Sequence, residues 1–219
     1  MKQVFITLLV LVVNIVDGQM TTSATMNEYT LQTLTAEIKH QKYSEGITNK
    51  NEYFNYDFQS ATIDGFKEKE KLRYNALLDD FEFLRDGYLY KMNKMSNQII
   101  RFDDGRTFKY ISFIDGNNLM SRYLQVLTDI NQKLVLYRKL AIDEVDGLGS
   151  SGLNASNKKN YFKQDKLLII YNDRLYNVPN SVKKYNELTD KNVKEIVSFN
   201  KLNLKKEQDL IKLIDLLNK

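Results

Sequence analysis

The chain has 219 residues, 42% of them apolar and 27% charged, with a formal net charge of +4, a balance that suits one sizeable folded domain rather than a disordered chain. It contains no cysteine and a single histidine, His40. A disulfide framework, a cysteine-ligated metal, a thiol nucleophile and a two-histidine metal site within one copy are therefore excluded.

The N-terminus carries an export pattern. Met1-Lys2-Gln3 gives a short positive start, and Val4–Val13 (VFITLLVLVV) holds nine apolar residues in ten. The run is too short to cross about 30 Å of hydrocarbon, which takes roughly 20 residues. Val16 and Gly18 are small enough for the −3 and −1 positions of a signal-peptidase site. Residues 1–18 are thus expected to be a cleaved signal peptide, with Gln19 as the mature start and no transmembrane span afterwards. Residues 19–51 read as a weakly structured arm. Within it, TLQTLTAEIKH places Leu31, Leu34 and Ile38 at helix-like spacing, while its threonines lower helix propensity, so a short helix and an extended arm both stay open.

From about residue 52 the apolar period becomes two. YFNYDFQSATI, KLRYNAL, FEFL, YLYKM, QIIRF and TFKYISF read as short strands. Between them stand Asp64-Gly65, Asp79-Asp80, Asp86-Gly87, Asp103-Asp104-Gly105 and Asp115-Gly116, residues that bond their own backbone or accept positive φ. In LRYNALLDDFEFLRDGYLYKM, Leu72, Tyr74 and Ala76 share one face, Phe81 and Phe83 share one face, and Tyr88 and Tyr90 follow. Alternation puts such rows in a core and leaves the carboxylates at the turns. Two longer strands, Arg122–Thr128 and Lys133–Ile142, flank the turn Asp129–Gln132 and close a β body spanning 52–145.

DGLGSSGLNASNKK (146–159) buries little and reads as a flexible loop. Residues 160–178 form one more hairpin, with Lys166–Tyr171 as its strongest strand and Asn172-Asp173 as its turn. Pro179, the only proline, ends the β pattern. Residues 179–219 then form a helical tail of about three short helices. Asn180 or Ser181 would cap the first (Val182, Tyr185, Leu188), and Thr189 or Asp190 the second (Val193, Ile196, Val197). Asn203 would cap the third, whose stripe of Leu210, Leu213, Ile214 and Leu217 is widened by Ile211 and Leu216. The predicted fold class is α+β: an antiparallel β-rich meander, sandwich or partly open barrel followed by helices.

LRYNALLDDFEF, FKYISF, YLQVLTDINQKLVLYRKL and VKKYNELTDKNVKEIVSFNKLNLKKEQDLIKLIDLLNK together resemble a family of uncharacterised exported proteins of Bacteroidota-type bacteria. The resemblance covers roughly residues 53–219. It implies a signal peptide, a β-rich body and a lysine-rich helical tail, and it supplies no catalytic residues.

No catalytic, cofactor or metal site is assigned, and the chain is read as leaning away from catalysis. Residues 157–219 hold fourteen Lys/Arg against eight Asp/Glu, a mild excess that reads as solvated helix faces rather than a nucleic-acid surface. His40 has the pKa range of a general base, but it lies in a polar stretch with no identifiable partner. Asp79-Asp80 and Asp103-Asp104 read as turns, since neighbours on a strand point to opposite faces and would not converge. DEVDGLG (143–149) lacks the alternate-position spacing of a calcium loop and reads as a mobile acidic loop. Asn154-Ala155-Ser156 matches a glycosylation sequon by three residues only. Most aromatic residues, among them Phe81, Phe83, Tyr123 and Tyr137, are expected in the core.

The sequence therefore points to an exported non-catalytic protein of the periplasm or outer surface of a Gram-negative bacterium, acting by binding or as an envelope component, with an envelope protein or a small ligand as its partner. Two alternatives are a carrier holding a small apolar ligand inside a β-barrel and a carboxylate-dependent hydrolase. A barrel interior of small and polar side chains would favour the carrier. Two carboxyl groups about 5–10 Å apart in a cleft would favour the hydrolase.

Overall fold

The computed structural model describes residues 35–42, 48–146 and 159–219. The expected signal peptide, most of the arm and residues 147–158 of the loop lie outside them. The body is built from β1 (Thr35–Lys42), β2 (Gln59–Ile63), β3 (Glu70–Asn75), β4 (Asp80–Arg85), β5 (Tyr88–Met92), β6 (Ile99–Phe102), β7 (Thr107–Asp115), β8 (Asn118–Val126), β9 (Leu134–Asp146), β10 (Lys159–Tyr171) and β11 (Arg174–Asn177). Three helices follow, α1 (Val182–Leu188), α2 (Val193–Phe199) and α3 (Glu207–Leu217). The α+β order of a β-rich body and then helices is the one the periodicity predicts.

The strands form one sheet in the order β1-β5-β4-β3-β2-β6-β7-β11-β10-β9-β8, and β8 also pairs with β7. Strands β7 to β11 therefore close on themselves as a five-stranded barrel. A meander of five antiparallel strands starts and ends in the same direction, so the closing pair must be parallel. It is: β11 meets β7 at Arg174 and Ile114, and the Ile114 N–H donates to the Asp173 carbonyl at 2.8 Å. The edge of β7 that meets β11 at Ile114 carries β6 at its other end, Thr107–Lys109, and β6 joins the barrel to the meander β2–β5.

Turn chemistry sets these hairpins. Asp86 and Gly87 link β4 to β5 with φ of 52° and 77°, and Asn172 and Asp173 link β10 to β11 with φ of 49° and 59°. Two successive positive φ values match the right-handed twist of the flanking strands. Thr35–Lys42 lies extended against β5 rather than helical. Tyr53–Phe58, read from the sequence as the start of a strand, makes only an isolated bridge from Tyr53 to Asn75, and the strand begins at Gln59.

The reason lies on the outer face of β3 and β4. Arg73 and Glu82 form an ion pair at 2.9 Å with both side chains fully buried. Tyr53, Tyr56 and Phe58 surround the guanidinium with ring centroids at 4.3, 4.8 and 4.5 Å. The Tyr53 hydroxyl donates to Glu82 at 2.8 Å, and burial together with that charge raises its pKa well above the ordinary tyrosine value. Residues 53–58 thus cover a buried charge pair, a job that extended ladder pairing would not allow.

On the inner face, Leu72, Tyr74, Ala76, Phe81 and Phe83 join Phe102, Phe108, Tyr123, Leu140 and Ile142 in one core. Tyr90 stacks on Phe83 at 5.4 Å, but Tyr88 is 40% exposed, and Leu89 and Met92 are the buried residues of β5. A second core fills the barrel: Ile111, Phe113, Leu124, Val135, Tyr137, Leu168 and Ile170. A third lies outside it, where Leu134, Leu136 and Ile169 meet Tyr185, Val193, Leu210, Leu213, Ile214 and Leu217 of the helices. Residues 134–137 are all buried because even positions face the helices and odd positions face the barrel.

The helices are fastened to β9. Arg138 pairs with Glu207 at the start of α3, and at its end Asn218 donates to the Leu134 carbonyl at 2.7 Å and accepts from the Leu134 N–H at 3.2 Å. Ser181 precedes α1 as expected, though without a side-chain bond. The expected caps of the other helices differ. Asn192 caps α2 by accepting from the Glu195 N–H, and Glu195 accepts in return from the Asn192 amide. Asn203 makes a turn ahead of α3, accepting from Lys205, while Lys206 occupies the cap position.

Replacing Leu213, which is fully buried, by alanine is expected to destabilise the whole protein by about 2–5 kcal/mol, with Leu213→Asp and Leu217→Asp worse still. Urea denaturation checks this, and an unchanged midpoint would mean that the helices do not belong to the folding unit. Glu82→Ala should cost about 3–5 kcal/mol by stranding Arg73, whereas Arg73→Met with Glu82→Leu should restore most of the loss.

Candidate functional site

The carboxylates singled out from the sequence serve the fold in the main. Asp79 leaves the strand alternation at φ 56°, so the argument that Asp79 and Asp80 point apart fails. Both converge on Lys94, at 3.8 and 2.9 Å, and Asp80 also meets Lys91 at 2.9 Å. Asp79 accepts from the Tyr74 hydroxyl at 2.6 Å and from the Tyr123 N–H at 3.2 Å, with the Arg122 guanidinium 3.7 Å away. Burial raises its pKa against the opposing pull of those donors. Its hydrogen-bond and ion-pair partners are all donors or cations, which makes Asp79 an acceptor that ties β8 to the β3–β4 turn.

Asp103 pairs with Lys69 at 2.6 Å on the exposed surface, and Asp104 accepts from the Arg106 N–H at 3.1 Å. Both are turn residues. Asp143, Glu144 and Asp146 are not a mobile loop: they end β9, in register with β10. Glu144 binds Lys159 at 2.5 Å and Asp143 accepts from Gln164, so opposite charge and hydrogen bonding carry the acidic run into the strand. His40 lies within β1. Asn154-Ala155-Ser156 falls outside the described residues.

Two clefts open on the second half of the chain. One, of about 300 Å³, sits at a mouth of the barrel beside Lys109, Lys133 and Asp173 and is lined also by Ile111, Val135, Tyr137 and Ile170 of the barrel's inner core. The other, of about 810 Å³, lies between the β10–β11 hairpin and α1. Its volume falls in the range of small-molecule sites.

The larger cleft has two walls and a closed end. Arg174 pairs with Tyr171 and Tyr176 with Ile169, so Tyr171, Arg174 and Tyr176 share the face turned toward the helices. Opposite them, Lys184, Glu187 and Leu188 stand three and four residues apart along one side of α1. Val178, Pro179 and Asn180 close the end, because proline stops the strand and turns the chain into the helix. Asn172 and Asn177 complete the lining. Arg174, Lys184 and Glu187 form no ion pair among the described residues, and the side chains of Asn172, Asn177 and Asn180 bond to none of them. By contrast Asn49, Asn75, Asn192 and Asn218 are each spent on caps or strand ties.

These residues carried no signal in the sequence. Arg174 and Lys184 are two of the fourteen lysine-or-arginine positions of residues 157–219, and Tyr171 and Tyr176 read as ordinary strand aromatics. Only the meeting of a hairpin face with a helix face marks them out.

No protein-family model, curated protein or solved structure matches the chain. Among the described residues no helix is long and apolar enough to cross a membrane.

Because the folded-state pKa of Asp79 is raised, its titration adds stability that is fully present below the unfolded-state value and is lost as pH rises through the folded-state value. The stability difference between wild type and Asp79→Asn is therefore expected to be more favourable to wild type in acid than at neutral pH. Chemical denaturation of both proteins across that range measures it, and a difference that favours wild type more as pH rises would contradict the assignment.

Proposed function

We propose that the chain is an exported, non-catalytic binding protein whose ligand site is the cleft between the β10–β11 hairpin and α1. The supporting observation is an open cleft of about 810 Å³ whose charged and amide side chains are not used by the fold. Export is proposed from the Met1–Gly18 pattern and from the resemblance to exported Bacteroidota-type proteins, with the periplasm or cell surface as the destination. The lining contains both cations and a carboxylate and is sized for a small ligand rather than for nucleic acid.

Neither alternative draws comparable support. A carrier of an apolar ligand needs an empty apolar interior, but Phe113, Leu124 and Leu168 pack inside the barrel, and the hollow that Ile111, Val135, Tyr137 and Ile170 border is only about 300 Å³ and is lined also by Lys109, Lys133 and Asp173. A carboxylate-dependent hydrolase needs two carboxyl groups facing one cleft. The larger cleft is lined by Glu187 as its single acidic residue and the smaller by Asp173.

The test is a fragment screen by NMR on the mature chain, followed by mass spectrometry of the compounds recovered. The expected result is shifts confined to Tyr171–Leu188 with the bound compound unchanged. Shifts at Ile111, Tyr137 and Ile170 with an apolar compound would instead support a carrier, and a chemically altered compound would support a hydrolase. Sequencing of the secreted or periplasmic protein should begin at Gln19.

A further inference from the structure

Resting on that reading of the cleft, we infer that its ligand is an acidic saccharide, a short chain of sugar rings bearing carboxylates. Three features of the lining converge on this class. Arg174 and Lys184 oppose one carboxylate, Glu187, and so leave a net positive charge on the cleft walls. A guanidinium presents parallel N–H donors that match a carboxylate in two places, and the ammonium adds a point charge beside it.

Asn172, Asn177 and Asn180 are the second feature. Each amide offers donors and an acceptor from one rigid group, which suits neighbouring hydroxyls that must both give and receive hydrogen bonds. Three such amides around one cleft would be wasted on an apolar ligand, since burying them unpaired is costly. Glu187 adds acceptors for hydroxyl protons. The third feature is the pair Tyr171 and Tyr176, half-buried on the hairpin face, whose rings are apolar platforms with a polar tip. The C–H face of a sugar ring can pack on such a platform while its hydroxyls reach the amides. An acidic peptide would use the cations equally well but has less use for three amides. The apolar lining is limited to Val178, Pro179 and Leu188 beside the tyrosine rings, so it lacks the deep pockets by which side chains of a peptide are read.

Calorimetric titration of the mature chain with trigalacturonate, maltotriose and triglutamate tests this. Trigalacturonate should bind, and maltotriose should bind about ten-fold more weakly or less. Arg174→Gln and Lys184→Gln should each weaken trigalacturonate about ten-fold, and Asn180→Ala should weaken it as well. All three residues are exposed, so the variants should keep the wild-type melting temperature. Because Tyr176 also packs among the helices, its ring is tested without substitution: magnetisation transfer should link its protons, or those of Tyr171, to sugar C–H groups. Equal binding of triglutamate and trigalacturonate, with Asn180→Ala silent, would overturn the saccharide assignment and leave charge alone. If no trimer binds while screening fragments still shift the cleft amides, the ligand class falls and the binding reading stands. If neither trimers nor fragments touch the cleft, both fall.

Discussion

The turn between β3 and β4 is the wedge on which this architecture rests. Strands β8 and β9 pair only through Gln125–Arg138 and Val126–Tyr137, and then they separate. Two open strand edges facing a core would leave backbone groups without partners. The turn enters that gap. The Ala76 carbonyl accepts from the Ile142 N–H on β9 at 3.1 Å, and the Asp79 carboxylate accepts from the Tyr123 N–H on β8. Tyr74, on β3 just ahead of the turn, donates from its hydroxyl to the Leu140 carbonyl. A side-chain carboxylate thus stands in for a neighbouring strand, and the lysine and arginine around it offset the charge it brings into a mostly buried place. Through this one insertion the meander of the first half and the barrel of the second share a core.

With the barrel held open on that side and filled inside, β9 and β10 are free to present a second apolar face outward. Leu134, Leu136 and Ile169 occupy it, and the three short helices exist because that face must be covered. Helices of seven residues have little stability of their own, so α1 and α2 owe their place to Tyr185 and Val193 sinking into this layer. Where α1 ends its contact with the hairpin, the layers diverge and the larger cleft begins.

Most of the β body was legible because its signals are local. Alternation of Leu72, Tyr74 and Ala76, the Asp-Gly pairs, and the stripe of Leu210, Leu213, Ile214 and Leu217 each specify an element without help from distant residues. What was not legible depends on residues far apart in the chain. Tyr53–Phe58 has the pattern of a strand, but Arg73 and Glu82 claim its rings. Asp143–Asp146 looks like a loop until Lys159 and Gln164 are set beside it. Asp79 and Asp80 converge because one of them takes a left-handed turn conformation, which strand alternation does not foresee. The cleft was invisible for the same reason: Tyr171, Arg174 and Tyr176 meet Lys184, Glu187 and Leu188 only after a proline folds one back over the other.

The parallel joint that completes the barrel has a mechanical meaning. It consists of a single strand pair at Arg174 and Ile114 with the adjoining bond from Ile114 to Asp173, whereas β9 and β10 are zipped along thirteen pairs. Arg174 is also a wall of the larger cleft. The thinnest rivet in the cylinder and the lip of the larger cleft are one residue, so any pull on that side chain is a pull on the hoop itself.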